Sequence, residues 1–306
     1  MKKRLALVGV GKWGANFLRA IVKSQQDALT LIVSSKTKEQ LDVIAVSNAQ
    51  VIPNISLIDS FVDEIDGVIV ATPPEVRPAI VKKLLNLGVP VLAEKPLALN
   101  ANMSVSLIRL ATSLGVPLIE DYIHIYSWPY LLMREQLNGH WPISIESRAG
   151  NWGPFRDYSP LIDYAPHDLA MVLQIFNCAP TNIQLELLEV TGKLAFTAEI
   201  KLDFSELGQA KILISNIKRE RVRQFELTQE NERWSYDDNL STKLTRNGIS
   251  QKSSFTNQSS IQLLLDYFCG RSKFYELDKI LWLSQTVAEV LQCLDAQYLS
   301  VIRKYH

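Results

Sequence analysis

Between Leu5 and about Glu120 the chain alternates short β-branched or aliphatic runs with longer segments whose apolar residues recur every three or four positions. Few architectures accept that rhythm: it predicts βαβ units stacked into a parallel sheet. The candidate strands are residues 5–8, 29–34, 67–71, 89–93 and 116–120. Their nearly continuous hydrophobicity predicts burial on both faces, under helices on each side of the sheet. The candidate helices are residues 13–22, 38–47, 75–87 and 101–114. The last two stop at Gly88 and Gly115, each followed by a Val-Pro pair, which is a helix end feeding a strand.

After about Asp121 the pattern changes. Helices are expected at 129–137 and 166–176, then alternating polar and apolar runs at 182–190, 193–204, 209–216 and 223–229, separated by Gly, Asn, Asp and Ser turn signals. These predict a largely antiparallel open sheet with one face against helices. Residues 239–257 read as a loop or weak hairpin, and 261–269 and 278–303 as helices, the last long enough to pack back on the first half. The expected fold is therefore α/β: a doubly wound parallel domain over 1–121 and an α+β domain over 122–306 for the substrate and for oligomerisation.

A length of 306 residues, 47% of them apolar and 21% charged, suits about two soluble globular domains. With 32 Lys+Arg against 32 Asp+Glu, no overall charge favours nucleic acid or a membrane surface. Cys178, Cys269 and Cys293 are far apart and odd in number, which suits packing thiols in a reducing compartment. The basic start leads into an apolar run of only about six residues, too short for a signal peptide, so the expected location is the cytoplasm. No cluster has metal-ligand spacing.

Gly9-Val10-Gly11-Lys12-Trp13-Gly14 lies between a predicted strand and a predicted helix. In that setting the first glycine permits a tight turn, the second lets a pyrophosphate approach the backbone, and the third lets helix and strand pack closely. The helix N-terminus then presents free N–H groups and a positive dipole end to the phosphates. Ala71-Thr72-Pro73 falls at the carboxyl edge of the same sheet, where Thr72 touches a cofactor or caps the next helix. Where a dinucleotide fold usually carries an acid for the adenosine ribose, this chain has Ser34-Ser35-Lys36-Thr37. Hydroxyls and an ammonium without a carboxylate favour a 2′-phosphate, so NADP(H) is expected ahead of NAD(H), unless the stretch only caps a helix.

Glu94-Lys95-Pro96 follows a buried strand directly, which brings Glu94 and Lys95 to the ligand edge. There Lys95 can hydrogen-bond a substrate oxygen and join in acid–base chemistry, or simply be solvated. Asp163-Tyr164-Ala165-Pro166-His167-Asp168 opens an apolar helix, with Asp163 and His167 one turn apart. That spacing lets a carboxylate orient an imidazole able to exchange protons near neutral pH; the alternative is a helix cap with a structural histidine. Asp168, in the first helical turn, suits the dipole whatever else it does.

Taken in order, the Gly-rich turn, the E-K-P after the fifth predicted strand and the D-x-x-x-H helix start resemble the glucose-fructose oxidoreductase and inositol dehydrogenase family over essentially the whole chain. The resemblance implies a two-domain NAD(P)-dependent oxidoreductase, commonly of a sugar or cyclitol hydroxyl. It implies His167 as general base, Lys95 polarising the oxygen and Asp163 orienting them. The chain departs from the family pattern in three places. Ala170 stands where many members carry an acid three residues after the histidine, with Pro166 and Asp168 flanking His167. Tyr126-Ser127, preceded by His124, stands where many have Arg-Phe. The third departure is the stretch Ser34 to Thr37. Tyr122, His124 and Tyr126 are candidate substrate-lining residues, or else core aromatics. Trp152 and Arg156 lie just before the histidine segment, and Arg156 can clamp an anionic substrate group or be a surface arginine. Lys218–Arg221 and Arg223 read as a solvated strand edge.

The partner implied is a small polar molecule, with no nucleic acid and no membrane, in a homodimer or homotetramer built through the second sheet. Two other readings share the fold: a biliverdin-reductase-like reductase of a conjugated double bond or imine, and a non-catalytic dinucleotide-binding sensor.

Overall fold

The computed structural model describes residues 2–41, 48–137, 139, 141–150, 155–252 and 258–303. The chain divides into two units, Met1–Asp121 with Ser259–Gln285, and Tyr122–Gln258 with Thr286–His306.

In the first unit, β1 (Arg4–Val8), β2 (Ala28–Val33), β3 (Gln50–Ile52), β4 (Gly67–Val70), β5 (Val91–Ala93) and β6 (Leu118–Glu120) form one sheet in the order β3-β2-β1-β4-β5-β6. Every pairing is parallel. Strands this apolar are stable only when covered on both faces, and Val68, Ile69, Val70, Val91, Leu92 and Ala93 are all fully buried. Helices α1 (Gly14–Ser24), α2 (Arg77–Asn86) and α3 (Ala101–Leu114) alternate with the strands in the chain. The glycine stops behave as expected: Gly88 and Gly115 take φ of +73° and +63°, so each helix ends in the left-handed region that glycine enters without steric cost. Between β1 and β4 the strand order reverses direction, which opens a crevice at the carboxyl edge of the sheet.

Helix α4 (Trp128–Glu135) precedes β7 (Ile143–Gly150), and α5 (Pro160–Asp163) and α6 (Ala165–Phe176) follow it in the second unit. Strands β8 (Asn182–Gly192), β9 (Ala195–Asp203), β10 (Gly208–Ser215), β11 (Val222–Gln229), β12 (Glu232–Asp237), β13 (Leu244–Arg246) and β14 (Ile249–Ser250) complete an eight-stranded sheet in the order β14-β13-β12-β11-β7-β10-β9-β8. It is antiparallel except where β7 runs parallel to β10. Alternate residues of β7, β10 and β11 are buried, and α6 packs against β7 and β10. Gly208 opens β10 at φ +125°, where a Cβ would sit 1.9 Å from the Ile143 carbonyl oxygen, so only glycine fits the start of this strand.

Helix α7 (Ser260–Phe268) and the first part of α8 (Leu277–Ile302) belong to the first unit, although they follow the second in sequence. Arg271 holds the buried Asp27 in a bidentate pair, with both N–O distances 2.7 Å, and Leu281 enters the core under the parallel sheet. Cys269 sits 3.5 Å from Asp27; burial, then the neighbouring carboxylate, pushes its thiol up to about 12, so it is a packing thiol.

The sequence pattern missed β3, the 3-10 segment Ile55–Glu64, β7 and β12. In place of a helix over 38–47 there is a 3-10 turn at Lys38–Gln40, and 42–47 lie outside the described residues. Among the described residues no helix is long and apolar enough to cross a membrane.

Candidate functional site

The glycine-rich turn joins β1 to α1 at the carboxyl edge of the first sheet. A Cβ on Gly9 would come within 2.9 Å of the Ala71 carbonyl oxygen, and one on Gly14 within 2.1 Å of the Gly9 oxygen. Gly11 differs: a Cβ there meets no heavy atom within 4 Å. Two glycines thus pack protein on protein, and the middle one faces open space before α1. Gly11, Lys12 and Trp13 are exposed and Val10 is buried. The indole Nε1 of Trp13 donates to Asp121 Oδ2 at 3.0 Å, across 108 positions of sequence.

At the end of β2, Ser34 Oγ accepts from the Lys36 N–H at 3.1 Å, and Lys36 Nζ donates to the Val10 carbonyl at 3.3 Å. The ammonium therefore lies against the glycine turn, with Ser35 and Thr37 exposed beside it. At the end of β4, α2 starts only at Arg77 after Val76, so Thr72 is not its cap. The Thr72 hydroxyl oxygen is buried and has no hydrogen-bond partner among the described residues; Ala71 is half-buried and Pro73 exposed.

Glu94 and Lys95 leave β5 half-buried. Two side chains hold the loop that follows: Arg77 donates to the Thr72 and Pro96 carbonyls, and Glu120 accepts from the Leu97 N–H at 2.9 Å. Ala93 pairs with Glu120 in register, and Asp121 donates its own N–H to the Ala93 carbonyl at 2.7 Å, so Glu94 and Asp121 emerge side by side. Burial pushes the Asp121 carboxyl well above the usual carboxylate range, with repulsion from Glu94 adding to it. Burial also raises Glu94, against the opposing pull of Arg77 and Lys95. Arg77, Glu120 and Asp121 were not singled out from sequence. The available signal was that the neighbouring parallel strands β5 and β6 are each followed at once by an acid, Glu94 and Asp121, so these side chains must share one edge.

In the second unit α5 is capped by Ser159, whose Oγ accepts from the Leu161 N–H at 3.2 Å. Pro166 occupies the first turn of α6, and His167 follows it half-buried. The buried Asp163 lies 3.9 Å from Arg156 Nε, so Arg156 meets an acid of the chain itself. His167 meets His124 edge to face, with ring centroids 4.9 Å apart and planes at 88°. Tyr122 and Tyr126 are 2% and 0% exposed: they are core side chains, not an open lining, and only His124 of that trio is half-buried. Trp152 lies outside the described residues.

Asp168 is fully buried and makes a 2.7 Å ion pair with Arg223 Nη1, while Ser147 donates its hydroxyl to the other carboxylate oxygen. Arg223 is therefore not part of a solvated edge. It lies in phase with Phe225 and Leu227 on the inner face of β11, a central strand, as Ser147 lies in phase with Ile145 on β7. The pair ties the first turn of α6, one residue from His167, to the sheet.

Residues 3–122 match the sequence profile of the oxidoreductase family with an NAD-binding Rossmann fold. An inositol 2-dehydrogenase of Mycolicibacterium gilvum is 28% identical over 142 residues, which is 44% of this chain and only 40% of the relative's length. A crystal structure from Magnetospirillum magnetotacticum superposes with TM-score 0.80 at 25% identity, covering 95% of this chain and 99% of that one. UDP-N-acetylglucosamine 3-dehydrogenase from Acidithiobacillus ferrooxidans shares the fold at TM-score 0.78 and 19% identity, covering 97% and 99%.

The residues present fit the family's dinucleotide. Gly11 leaves room at a helix N-terminus, Lys36 supplies a cation near the turn, and the unpartnered Thr72 oxygen lies at the same edge. Among the described residues no group of three or more His, Cys, Asp or Glu is placed to hold a metal.

The glycines separate folding from binding. Gly14→Ala, which needs backbone to move, is expected to destabilise the chain by about 3 kcal/mol. Gly11→Ala is expected to stay within about 1 kcal/mol of the parent while losing dinucleotide affinity at least tenfold. Chemical unfolding and calorimetric titration read the two effects. Equal loss of stability in both variants contradicts the assignment.

Asp121 gives a pH-dependent signature. Its folded-state pKa lies above the unfolded value of about 3.9, so the folded chain holds a proton that the unfolded chain has already lost. Stability from this carboxyl is present at low pH and declines as pH rises from about 4 towards the raised folded value. Asp121→Asn keeps an acceptor for Trp13 and removes the titration. Its melting temperature should rise relative to the parent between pH 4 and pH 8, whereas a difference that does not vary with pH contradicts the buried acid.

Proposed function

We propose that the chain is an NAD(P)-dependent oxidoreductase that interconverts a hydroxyl and a carbonyl on a sugar-like or other polar small molecule, with His167 as base and Lys95 polarising the oxygen. The observation that carries it is the open Gly11 cradle at the same sheet edge as Lys95, whose loop Arg77 and Glu120 hold on either side. The family of the Rossmann unit and the inositol 2-dehydrogenase relative support the reaction class. A bound dinucleotide supplies the hydride acceptor or donor.

In the oxidative direction His167 accepts the hydroxyl proton as hydride leaves the same carbon, so the products are a carbonyl, a reduced coenzyme and one proton on imidazole. Lys95 donates a hydrogen bond to the oxygen, and its positive charge stabilises the developing alkoxide. Asp163 orients His167 from the preceding turn, with Arg156 against it. NADP(H) is favoured, because Lys36 and the Ser34 and Ser35 hydroxyls lie where a 2′-phosphate would meet no carboxylate within Ser34 to Thr37.

A screen of polyols, sugars and nucleotide sugars by nicotinamide absorbance tests the reading. Lys95→Ala and His167→Ala should each lower kcat by at least about a hundredfold and leave coenzyme Kd within about twofold. Kd for NADPH should be at least tenfold below that for NADH and rise towards it in Lys36→Ala. Wild-type turnover in both site variants overturns the roles, and equal use of the two coenzymes overturns the preference.

A further inference from the structure

Glu94 and Asp121 leave the neighbouring strands β5 and β6 side by side, and their side chains hydrogen-bond each other. Two ionised carboxylates offer acceptors and no donor, so that bond exists only if one of them keeps a proton. The surroundings say which. Asp121 is 1% exposed; its Oδ2 accepts the Trp13 indole N–H at 3.0 Å, and its Oδ1 is buried with no donor from elsewhere among the described residues. Ionised, Oδ1 would be a buried charge without a hydrogen bond; protonated, it is the donor that the Glu94 carboxylate can accept from. Among the described residues, burial and then Glu94 favour the proton on Asp121, while Lys95 of the same loop and Arg77 of α2 oppose it. Glu120, one residue earlier, accepts from the Leu97 N–H. Trp13 stands two residues beyond Gly11 and stays 39% exposed, although its indole N–H is tied to the end of β6. That edge lies across the strand-order reversal from Lys36, so a dinucleotide with its 2′-phosphate at Lys36 brings its nicotinamide half there.

We propose that Asp121 is a positioning residue for the coenzyme: it keeps one proton at neutral pH, shares it with Glu94 in a hydrogen bond, and with its other oxygen holds the Trp13 ring as a wall of the nicotinamide half. The proposal rests on the reading of this crevice as a dinucleotide site. One proton between two carboxyls leaves the pair a single negative charge, so an anionic coenzyme meets less repulsion than it would from two. Loss of the proton sets two buried carboxylates against each other and loosens the hold on Trp13. The proton stays with the pair throughout turnover, and the hydride step leaves it in place.

Two measurements on the full chain test this. The infrared spectrum at neutral pH should hold a protonated-carboxyl band that shifts when aspartate is isotope-labelled and is missing from Asp121→Asn. Calorimetric titration with NADPH then separates the bonds from the charge. Asp121→Asn keeps both bonds, because its amide donates to Glu94 and its carbonyl accepts from Trp13, so its Kd should stay within about twofold of the parent. Asp121→Ala and Trp13→Phe break the tie to the turn and should each weaken NADPH at least about fivefold. Trp13→Phe, at a partly exposed position, decides this if Asp121→Ala does not fold. A parent that binds NADPH but lacks the band overturns the role of Asp121 alone. So does an Asp121→Asn variant as weak as Asp121→Ala or Trp13→Phe, or one that binds at least about fivefold more tightly than the parent, the mark of a removed negative charge. A parent that shows the band but binds neither NADPH nor NADH overturns the coenzyme reading, and the role of Asp121 with it.

Discussion

The approach of α1 to the turn after β1 is the constraint on which the first unit's chemistry depends. With a Cβ on Gly14 excluded by the Gly9 carbonyl and one on Gly9 excluded by Ala71, the helix starts against the sheet at the point where strand order reverses. That placement aims the N–H groups of α1 into the crevice and leaves Gly11 with open space before it. The other site groups are carried to the same edge by the parallel register: Thr72 after β4, Glu94 and Lys95 after β5, Asp121 after β6.

Parallel register also explains why that edge is electrically unusual. Strands about 4.8 Å apart bring Glu94 and Asp121 side by side under burial, and Arg77 and Lys95 offset them. In the second unit a buried polar group plays the corresponding part. Asp168, Arg223 and Ser147 satisfy one another on the inner face of the sheet, and breaking one member would leave a buried charge unpaired, so the start of α6 is held firmly. His167 stands one residue before that anchor, in the first turn of α6.

Much of this was legible in the sequence, for physical reasons that differ from element to element. The glycine turn, Lys95 and His167 could be placed because turn geometry and strand-to-helix order force them to an edge or a helix start. Gly88 and Gly115 could be placed because left-handed helix ends select glycine. Arg223 follows a charge run that suggests a solvated position, yet the period of two set by Phe225 and Leu227 turns it inward. A hydroxyl before a predicted helix suggests a cap, yet the loop between Thr72 and Arg77 is too long for Thr72 to be one. The three-residue β3 is shorter than any periodicity can show, and Tyr122 and Tyr126 carry the same composition whether they line a site or fill a core. The Glu94 and Asp121 juxtaposition needs pairing register, which a strand pattern alone does not state.

The most direct measurement is a crystal structure of the chain with NADPH bound. The pyrophosphate should lie against Gly11 and the α1 N-terminus, the 2′-phosphate within hydrogen-bond reach of Lys36, and the nicotinamide C4 should face a space reached by Lys95 Nζ. A nicotinamide remote from Lys95, or a dinucleotide bound away from Gly11, would contradict the assignment.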